Sequence, residues 1–134
     1  MTASLIAQLT LAYSSHPDPN RIKALILTNP HNPLSLCYSP SVLRQCMSWC
    51  HKRGIHFVSD EMYAMSTILT PGEDVKPGVQ PFVSALQIAG LNQDDVKGGE
   101  SRKQKIVDTD YSKTHVVWGM SKDFGSSGIR MVRS

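Results

Sequence analysis

The fold is decided between residues 22 and 59, which have the sequence IKALILTNPHNPLSLCYSPSVLRQCMSWCHKRGIHFVS. Residues 22–28 form a short apolar run without strict alternation, as is typical of a strand that is covered on both faces of a parallel sheet. Asn29-Pro30 ends this run, and residues 55–59 form a second run of the same kind. The two runs predict two strands that are joined by a single connection.

The connection contains a helix whose two ends are marked in the sequence. Ser39 is a favourable N-cap and Pro40 suits the first helical position, while Gly54 can supply the left-handed residue that follows a helix. These signals predict a helix over residues 40–53. A strand, a helix and a strand in succession almost always form a right-handed crossover, so we predict that the two strands are parallel.

Further elements are predicted on both sides of this unit. Apolar residues at helical spacing indicate a first helix over residues 3–14, and residues 114–119 form a third apolar run that predicts a third strand. Residues 82–86 are expected to form a short packed element. Residues 92–113 are polar and rich in Gly, Asp and Lys, so we interpret them as an exposed insertion. The order of elements predicts an α/β fold with a mostly parallel sheet.

The charge of the chain argues against a nucleic-acid partner. Lys and Arg total 14 and Asp and Glu total 11, which gives a net charge of +3 in 134 residues. The densest basic cluster, Arg102, Lys103 and Lys105, lies among acidic residues. Phosphate binding needs basic residues grouped on one face, so we expect no nucleic-acid partner.

The cysteines indicate a reducing compartment. Cys37, Cys46 and Cys50 are odd in number and lack the spacing of a disulfide framework. Cys46 and Cys50 could bind a metal ion together with Cys37 or His51, but the paired spacings of zinc sites are absent. We therefore interpret them as small apolar residues of a helix face and expect no metal site. Residues 1–12 have the features of neither a signal peptide nor a membrane span, so we expect a cytoplasmic protein without membrane contact.

Each predicted strand runs into a segment that is rich in functional side chains. The first strand is followed by Asn-Pro-His-Asn-Pro at residues 29–33, and the second by Asp-Glu-Met-Tyr at residues 60–63. The third is followed by Ser-Lys-Asp-Phe-Gly-Ser-Ser-Gly-Ile-Arg at residues 121–130. In open α/β sheets ligands bind beyond the carboxyl ends of the strands. An amide, a carboxylate, a phenol, an amine and a guanidinium are therefore expected to face one crevice.

These three segments resemble the motifs of class I/II aminotransferases, the pyridoxal-phosphate enzymes of the aspartate aminotransferase fold. Residues 29–35 resemble the Asn-Pro-x-Asn-Pro-x-Gly turn, residues 60–63 the Asp-x-x-Tyr motif, and residues 121–130 the Ser-Lys-x-Phe-Gly-x-x-Gly-x-Arg motif. Within this family, the sequences of the three motifs are most similar to those of 1-aminocyclopropane-1-carboxylate synthase-like proteins. A Walker loop and a Gly-x-Gly-x-x-Gly fingerprint are absent from the sequence. The resemblance implies a three-layer α/β/α fold, with residues 1–134 as the central part of the cofactor-binding large domain and without the small C-terminal domain.

The resemblance also implies catalytic and cofactor-binding roles for individual residues. Lys122 matches the amine that holds pyridoxal 5'-phosphate as a Schiff base and shuttles the α-proton of the substrate. Asp60 matches the carboxylate that keeps the pyridine nitrogen protonated. Asn32 and Tyr63 match the two groups that hydrogen-bond the phenolic oxygen of the ring and so tune its reactivity.

The phosphate-binding part of the pattern is matched with two departures. Arg130 matches the guanidinium that holds the phosphate, with help from Ser121. Ser35 stands where the family often has Gly, and this departure bears on the geometry of the turn. Gly119 stands three residues before the lysine, where many members have a Ser, and this departure removes one phosphate ligand.

The resemblance implies a longer, homodimeric subunit. Segments upstream would bind the phosphate and stack on the ring, and a small domain downstream would hold the carboxylate of an amino-acid substrate. One hypothesis is an enzyme of amino-acid metabolism, an aminotransferase or a lyase, present here as an incomplete chain. The other is a non-catalytic remnant that at most binds cofactor or pairs with a full-length relative. We expect the 134-residue chain alone to be inactive and to dimerise poorly.

Overall fold

A computed structural model of the chain describes residues 2–67, 80–90, 111–128 and 132–133. The strands in these residues are β1 (Ala24–Thr28), β2 (His56–Asp60), β3 (Thr114–Gly119) and β4 (Val132–Arg133). The α-helices are α1 (Thr2–Ser15), α2 (Pro40–His51), α3 (Ala85–Gly90) and α4 (Met120–Asp123), and short 3-10 helices lie at Pro19–Arg21, Ala64–Ser66 and Tyr111–Lys113. Within the described residues, no helix has the length and apolar character needed to cross a membrane.

The strands form one sheet in the order β1-β2-β3-β4. β1 is parallel to β2 and β2 is parallel to β3, whereas β4 is antiparallel to β3. The α/β class and the parallel pairing are therefore confirmed. β3 has the predicted bounds, while β1 begins two residues later than predicted and β2 is shifted by one residue. The two-residue β4 was not predicted.

The ends of α2 follow from the capping residues. The Ser39 hydroxyl accepts a hydrogen bond from the backbone N–H of Val42 at 3.3 Å, and Pro40 occupies the first helical position, as predicted. The helix ends at His51, two residues earlier than predicted, because the N–H of Gly54 binds the carbonyl of His51 at 2.9 Å in a turn. Gly54 has the left-handed conformation, with φ 67°.

The hydrophobic core lies between the helices and one face of the sheet. Its buried residues are Leu43, Cys46, Met47, Trp49, Cys50, Ile55, Phe57, Ala85 and Ile88. Trp49 joins α2 to α1, because its indole N–H donates to the Thr10 hydroxyl at 3.0 Å and its ring meets Tyr13 edge-on. The Arg53 guanidinium lies over the Trp49 ring, 4.2 Å from its centre.

The helices that pack on the core cover only one face of the sheet among the described residues. Leu25, Leu27, Phe57 and Val116 point from the strands into this core. Alternate residues face the other side, where Ile26 is 67% exposed. The described residues therefore form the sheet and one helical layer of the α/β fold.

The segment between β2 and β3 is described in part. The predicted packed element at residues 82–86 corresponds to α3, which begins at Ala85, a fully buried residue. The predicted exposed insertion at residues 92–113 lies outside the described residues, apart from the 3-10 helix Tyr111–Lys113. Lys113 donates from Nζ to the carbonyl of Gly54 at 2.7 Å and so joins the start of β3 to the end of α2.

Candidate active site

The carboxyl ends of the three parallel strands are level with one another. Thr28 at the end of β1 pairs with Asp60 at the end of β2, and Asp60 pairs with Val117 of β3. Two hydrogen bonds continue this alignment: the N–H of Asn29 donates to the carbonyl of Asp60, and the N–H of Glu61 donates to that of Val117, each at 2.9 Å. The segments that follow the strands therefore leave the sheet at one edge, where open α/β sheets bind ligands.

A cavity of about 400 Å³ lies between the segments that follow β1 and β2. Asn32 from the first segment and Tyr63 from the second both line it, as do His31, Cys37 and Ser66. The structure thus brings together two residues that the sequence places in one site. A carboxamide and a phenol at one cavity offer donors to an anionic or phenolic oxygen of a ligand.

Asn29 fixes the turn that forms one wall of the cavity. This residue is fully buried, its side-chain amide donates to the carbonyl of Val83 at 3.3 Å, and its Oδ1 accepts from the N–H of Tyr38 at 3.0 Å. Buried polar groups are costly unless they are paired, so both bonds restrain the turn. Asn29 was assigned no separate role from the sequence, although an amide that ends a buried strand before a proline is a usable signal.

Ser35 occupies the position where the family often has Gly. Its φ of 51° lies in the left-handed region, its N–H donates to the carbonyl of His31, and the N–H of His31 donates to the carbonyl of Leu36, both at 2.8 Å. The turn therefore keeps a left-handed residue without a glycine, at a cost of about 1–2 kcal/mol for an L-residue. His31 Nδ1 is buried and has no hydrogen-bond partner in the described part of the chain.

Asp60 is held at the edge of the sheet by the residues around it. Its Oδ1 accepts from the backbone N–H of Met62 at 3.3 Å, and its Oδ2 lies 3.5 Å from the Thr28 hydroxyl, which donates to it. The side chain is half-buried. These contacts hold the carboxylate against the last residue of β1.

Glu61 has a structural role that was not predicted from the sequence. It is only 3% exposed, and its Oε1 accepts from the Ser59 hydroxyl at 2.9 Å and from the N–H of Ala85 at 2.8 Å. The second bond satisfies one of the unpaired amides at the start of α3. Glu61 therefore joins the end of β2 to α3 and fixes the chain just before Tyr63.

The predicted lysine lies on α4, directly after β3. Ser121 is half-buried and Lys122 is exposed. α4 spans four residues and begins after Gly119, so β3 delivers both side chains to the edge where β1 and β2 end.

Asp123 links α4 to the segment that follows Tyr63. Its Oδ1 accepts from the Ser66 hydroxyl at 2.6 Å, and its Oδ2 accepts from the Trp118 indole at 2.9 Å and from the N–H of Met65 at 3.0 Å. Partial burial would raise the pKa of Asp123, but the hydrogen bonds from these partners outweigh burial and lower the pKa. From the sequence, Asp123 was only one position of a motif, and this link was not predicted.

The predicted site is assembled in part. Asn32 and Tyr63 line one cavity. Asp60, Ser121 and Lys122 lie at the same edge of the sheet but do not line that cavity. Arg130 lies outside the described residues. The role of each residue toward a cofactor remains a prediction.

Two of the three cysteines are core residues. Cys46 and Cys50 are buried on α2, and desolvation raises the pKa of Cys46 to about 11 and that of Cys50 to about 12. Thiols with such pKa values stay protonated at neutral pH and are poor metal ligands. Within the described ranges, no three His, Cys, Asp or Glu side chains are grouped to hold a metal ion.

A parallel sheet with a cavity beyond its strands defines an α/β protein with a candidate ligand site at the carboxyl edge. Residues 5–131 match the family model "Aminotransferase class I and II". The chain belongs to this pyridoxal-phosphate-dependent family.

The relatives of the chain include an aminotransferase and a 1-aminocyclopropane-1-carboxylate synthase. "Probable aminotransferase aclI" of Aspergillus oryzae is 45% identical over 131 residues, which cover 98% of this chain and 27% of the relative. The 1-aminocyclopropane-1-carboxylate synthase of Glycine max is 31% identical over 121 residues, which cover 90% of this chain and 21% of the relative. The chain thus spans about a quarter of the length of these relatives, and its identity is higher with the aminotransferase.

A solved structure supports the fold. The pyridoxal-phosphate-bound C-S lyase of Staphylococcus hominis, crystallised with L-cycloserine, aligns with a TM-score of 0.63 at 18% identity. The alignment covers 95% of this chain and 24% of the lyase. At this identity the comparison bears on the fold alone, and it confirms the predicted aspartate aminotransferase fold for a partial chain.

Proposed function

We propose that the chain supplies part of the pyridoxal 5'-phosphate site of an enzyme of amino-acid metabolism, either an aminotransferase or a 1-aminocyclopropane-1-carboxylate synthase-like lyase. One observation carries the proposal: Asn32 and Tyr63 line one cavity at the edge where Asp60 ends β2. The proposal includes an amino-acid substrate, the homodimer typical of the family and a cytoplasmic location.

The donor set fits the cofactor. The phenolic oxygen of pyridoxal phosphate accepts hydrogen bonds, which the amide of Asn32 and the hydroxyl of Tyr63 can donate into the shared cavity. Its pyridine nitrogen needs an anionic partner, and Asp60 presents a carboxylate that is already oriented by the N–H of Met62. In this assignment Asp60 holds the proton on the pyridine nitrogen by charge attraction.

Lys122 and the phosphate-binding residues complete the assignment. When bound, pyridoxal phosphate supplies an electron sink for bonds at the substrate's α-carbon. Lys122 would attach the cofactor through Nζ and, once released, would take and return the α-proton at that nitrogen. Ser121 and Arg130 would hold the phosphate and so fix the cofactor relative to Lys122.

The lysine assignment is tested by borohydride reduction of the 134-residue chain with pyridoxal phosphate, followed by peptide mapping. We expect the pyridoxyl group on Lys122 and its loss in Lys122→Ala. Lys23→Ala, which removes an exposed lysine next to β1, is the matched control and should leave the label unchanged. Label on another lysine, with Lys122 unmodified, contradicts the assignment.

The carboxylate assignment is tested by Asp60→Asn in a protein of the full length of the relatives. The amide cannot hold the pyridinium charge, so we expect retained cofactor and loss of most turnover. Asp18→Asn, at an exposed position in the 3-10 helix cap before β1, is the control. Turnover at the unmodified rate in Asp60→Asn would exclude this role.

The activity of the 134-residue chain separates the two hypotheses for the chain itself. We expect no product in single-turnover reactions with excess cofactor and a panel of amino acids, since orientation of the α-carbon can be worth about 7–11 kcal/mol and the chain spans only about a quarter of the length of its relatives. Keto acid above the free-cofactor background would identify an aminotransferase, and aminocyclopropane-carboxylate a lyase. Either product, if lost in Lys122→Ala, would show that the chain alone is an enzyme.

A further inference from the structure

The carboxylate of Asp123 connects the end of β3 to the segment that follows β2. Its Oδ1 accepts from the Ser66 hydroxyl at 2.6 Å, while its Oδ2 accepts from the Trp118 indole at 2.9 Å and from the N–H of Met65 at 3.0 Å. Ser66 lines the cavity of the candidate site together with Tyr63. Asp123 is therefore bonded directly to one wall of that cavity.

The helix that carries the candidate amine has few other restraints. α4 is a single turn in which Lys122 directly precedes Asp123. Apart from the bonds of Asp123, the hydrogen bonds that reach α4 from outside it in the described residues come from residues 124–126, which follow it directly. Lys122 is exposed, and a lysine amine stands on a flexible stem. The place of this amine therefore depends on what holds the backbone of α4.

We propose that Asp123 is a positioning residue for the cofactor site: it holds α4 against the cavity wall and so sets the point from which Lys122 reaches pyridoxal phosphate. The inference rests on the proposed function of Lys122, and it gives Asp123 no contact with the cofactor. The three groups that donate to Asp123 are all neutral. The carboxylate therefore acts through the direction of its hydrogen bonds and not by pairing with a cation.

Three substitutions separate the hydrogen bonds of Asp123 from its charge. Asp123→Ala removes both the bonds and the charge. Asp123→Asn removes the charge alone, because the amide oxygen can accept from Trp118 and Met65 while the amide N–H donates to the Ser66 hydroxyl, which can also accept. Ser66→Ala removes the 2.6 Å bond and leaves the charge and the other two bonds in place.

The test is borohydride reduction of the 134-residue chain across a series of pyridoxal phosphate concentrations, with the label on Lys122 quantified by peptide mapping. Asp123→Ala should need about ten times more cofactor for half-maximal label, because a misplaced amine meets the cofactor in fewer productive orientations. Asp123→Asn should stay close to the unmodified chain, and Ser66→Ala should lie between the unmodified chain and Asp123→Ala. Ser126→Ala is the control, since the Ser126 hydroxyl donates to the nearby carbonyl of Phe124.

Reductive methylation with formaldehyde shows whether the effect is one of position. Formaldehyde needs no oriented approach, so Lys122 should be methylated at the same rate in every variant. Slower methylation in Asp123→Ala, or a loss of label in Asp123→Asn equal to that in Asp123→Ala, would overturn the proposal. Unchanged label in Ser66→Ala would also overturn it, and this variant decides alone if Asp123→Ala does not fold. Absence of label on Lys122 in the unmodified chain would refute the proposed function and this inference with it.

Discussion

The Ser66 hydroxyl donates a 2.6 Å hydrogen bond to Oδ1 of Asp123, although 57 positions separate the two residues. Ser66 follows Tyr63 by three residues and Asp123 directly follows Lys122. The bond therefore ties the segment that carries the candidate phenol to the helix that carries the candidate amine.

Asp123→Ala should lower the free energy of unfolding by about 2 kcal/mol, because it removes an acceptor of three hydrogen bonds, one of them from the indole of Trp118. Ser66→Ala should lower the free energy of unfolding by less than Asp123→Ala does, since it removes a single hydrogen-bond donor. Ser126→Ala is the control, because the Ser126 hydroxyl donates only to the nearby carbonyl of Phe124. Urea unfolding measures all three, and equal stability of Asp123→Ala and the control would refute the link.

The contribution of Asp123 should also depend on pH. Its hydrogen bonds lower the pKa of Asp123 below the ordinary value of 3.8, so its stabilisation is present above that value and is lost as the pH falls below it. The difference in stability between the unmodified chain and Asp123→Ala should therefore shrink in acid. Unfolding curves from pH 7 to pH 3 provide the measurement, and a constant difference would argue against an ionised Asp123.

Asn29→Ala should destabilise the turn that forms the cavity wall by about 2–3 kcal/mol, because it leaves the N–H of Tyr38 and the carbonyl of Val83 without their partner. The stability of Asn29→Asp should lie between that of Asn29→Ala and that of the unmodified chain. A carboxylate can still accept from the N–H of Tyr38 but cannot donate to the carbonyl of Val83. Asn20→Ala, at an exposed position, serves as the control. Chemical unfolding of the three variants ranks them, and the order fails if Asn29→Ala matches the control.

Ser35→Gly should be at least as stable as the unmodified chain, whereas Ser35→Val should be less stable by more than about 1 kcal/mol, because a β-branched residue is strained at positive φ. Ser127, an exposed residue without positive φ, gives the matched pair of Gly and Val controls. Thermal unfolding compares the four proteins. Equal Gly-to-Val differences at both positions would mean that the φ of Ser35 carries no strain.

The buried thiols should resist alkylation and destabilise the fold in alkali. Burial raises the pKa of Cys46 to about 11 and of Cys50 to about 12, from 9.0. Because the folded values are raised, the stabilisation is complete below pH 9 and is lost as the pH rises toward these values. We expect slow iodoacetamide labelling of both at pH 8 in the native chain, faster labelling of the partly exposed Cys37, and full labelling in urea. Rapid native labelling of Cys46 would be inconsistent with its burial.

The features predicted correctly from the sequence, the start of α2 and the bounds of β3, depend on residues that are neighbours in the chain. Ser39 and Pro40 marked the start of α2, and residues 114–119 gave the bounds of β3, because capping and apolar runs act over a few neighbouring residues. The end of α2 was placed two residues too late, since the turn between His51 and Gly54 replaces the last helical bonds.

Long-range contacts were beyond the reach of those signals. β4 is only two residues long and exists through antiparallel pairing with Trp118 and Gly119, which no periodicity in Val132–Arg133 indicates. The bonds of Glu61 to α3 and of Asp123 to Ser66 join residues that are distant in the chain, and a carboxylate next to a strand gives no hint of its partner. The motifs did place Asn32 and Tyr63 in one cavity, because level strand ends bring the following segments together.

The strand order has a consequence for local opening of the native chain. β2 is hydrogen-bonded to β1 on one side and to β3 on the other, while among the described residues β1 has a partner only at β2, and β3 meets β4 over two residues. Opening β2 requires two ladders to break at once, whereas β1 can separate alone. The amide hydrogens of β2 should therefore exchange with solvent more slowly than those of β1, so fluctuations of the sheet start at its β1 edge while the strand that ends in Asp60 stays in place.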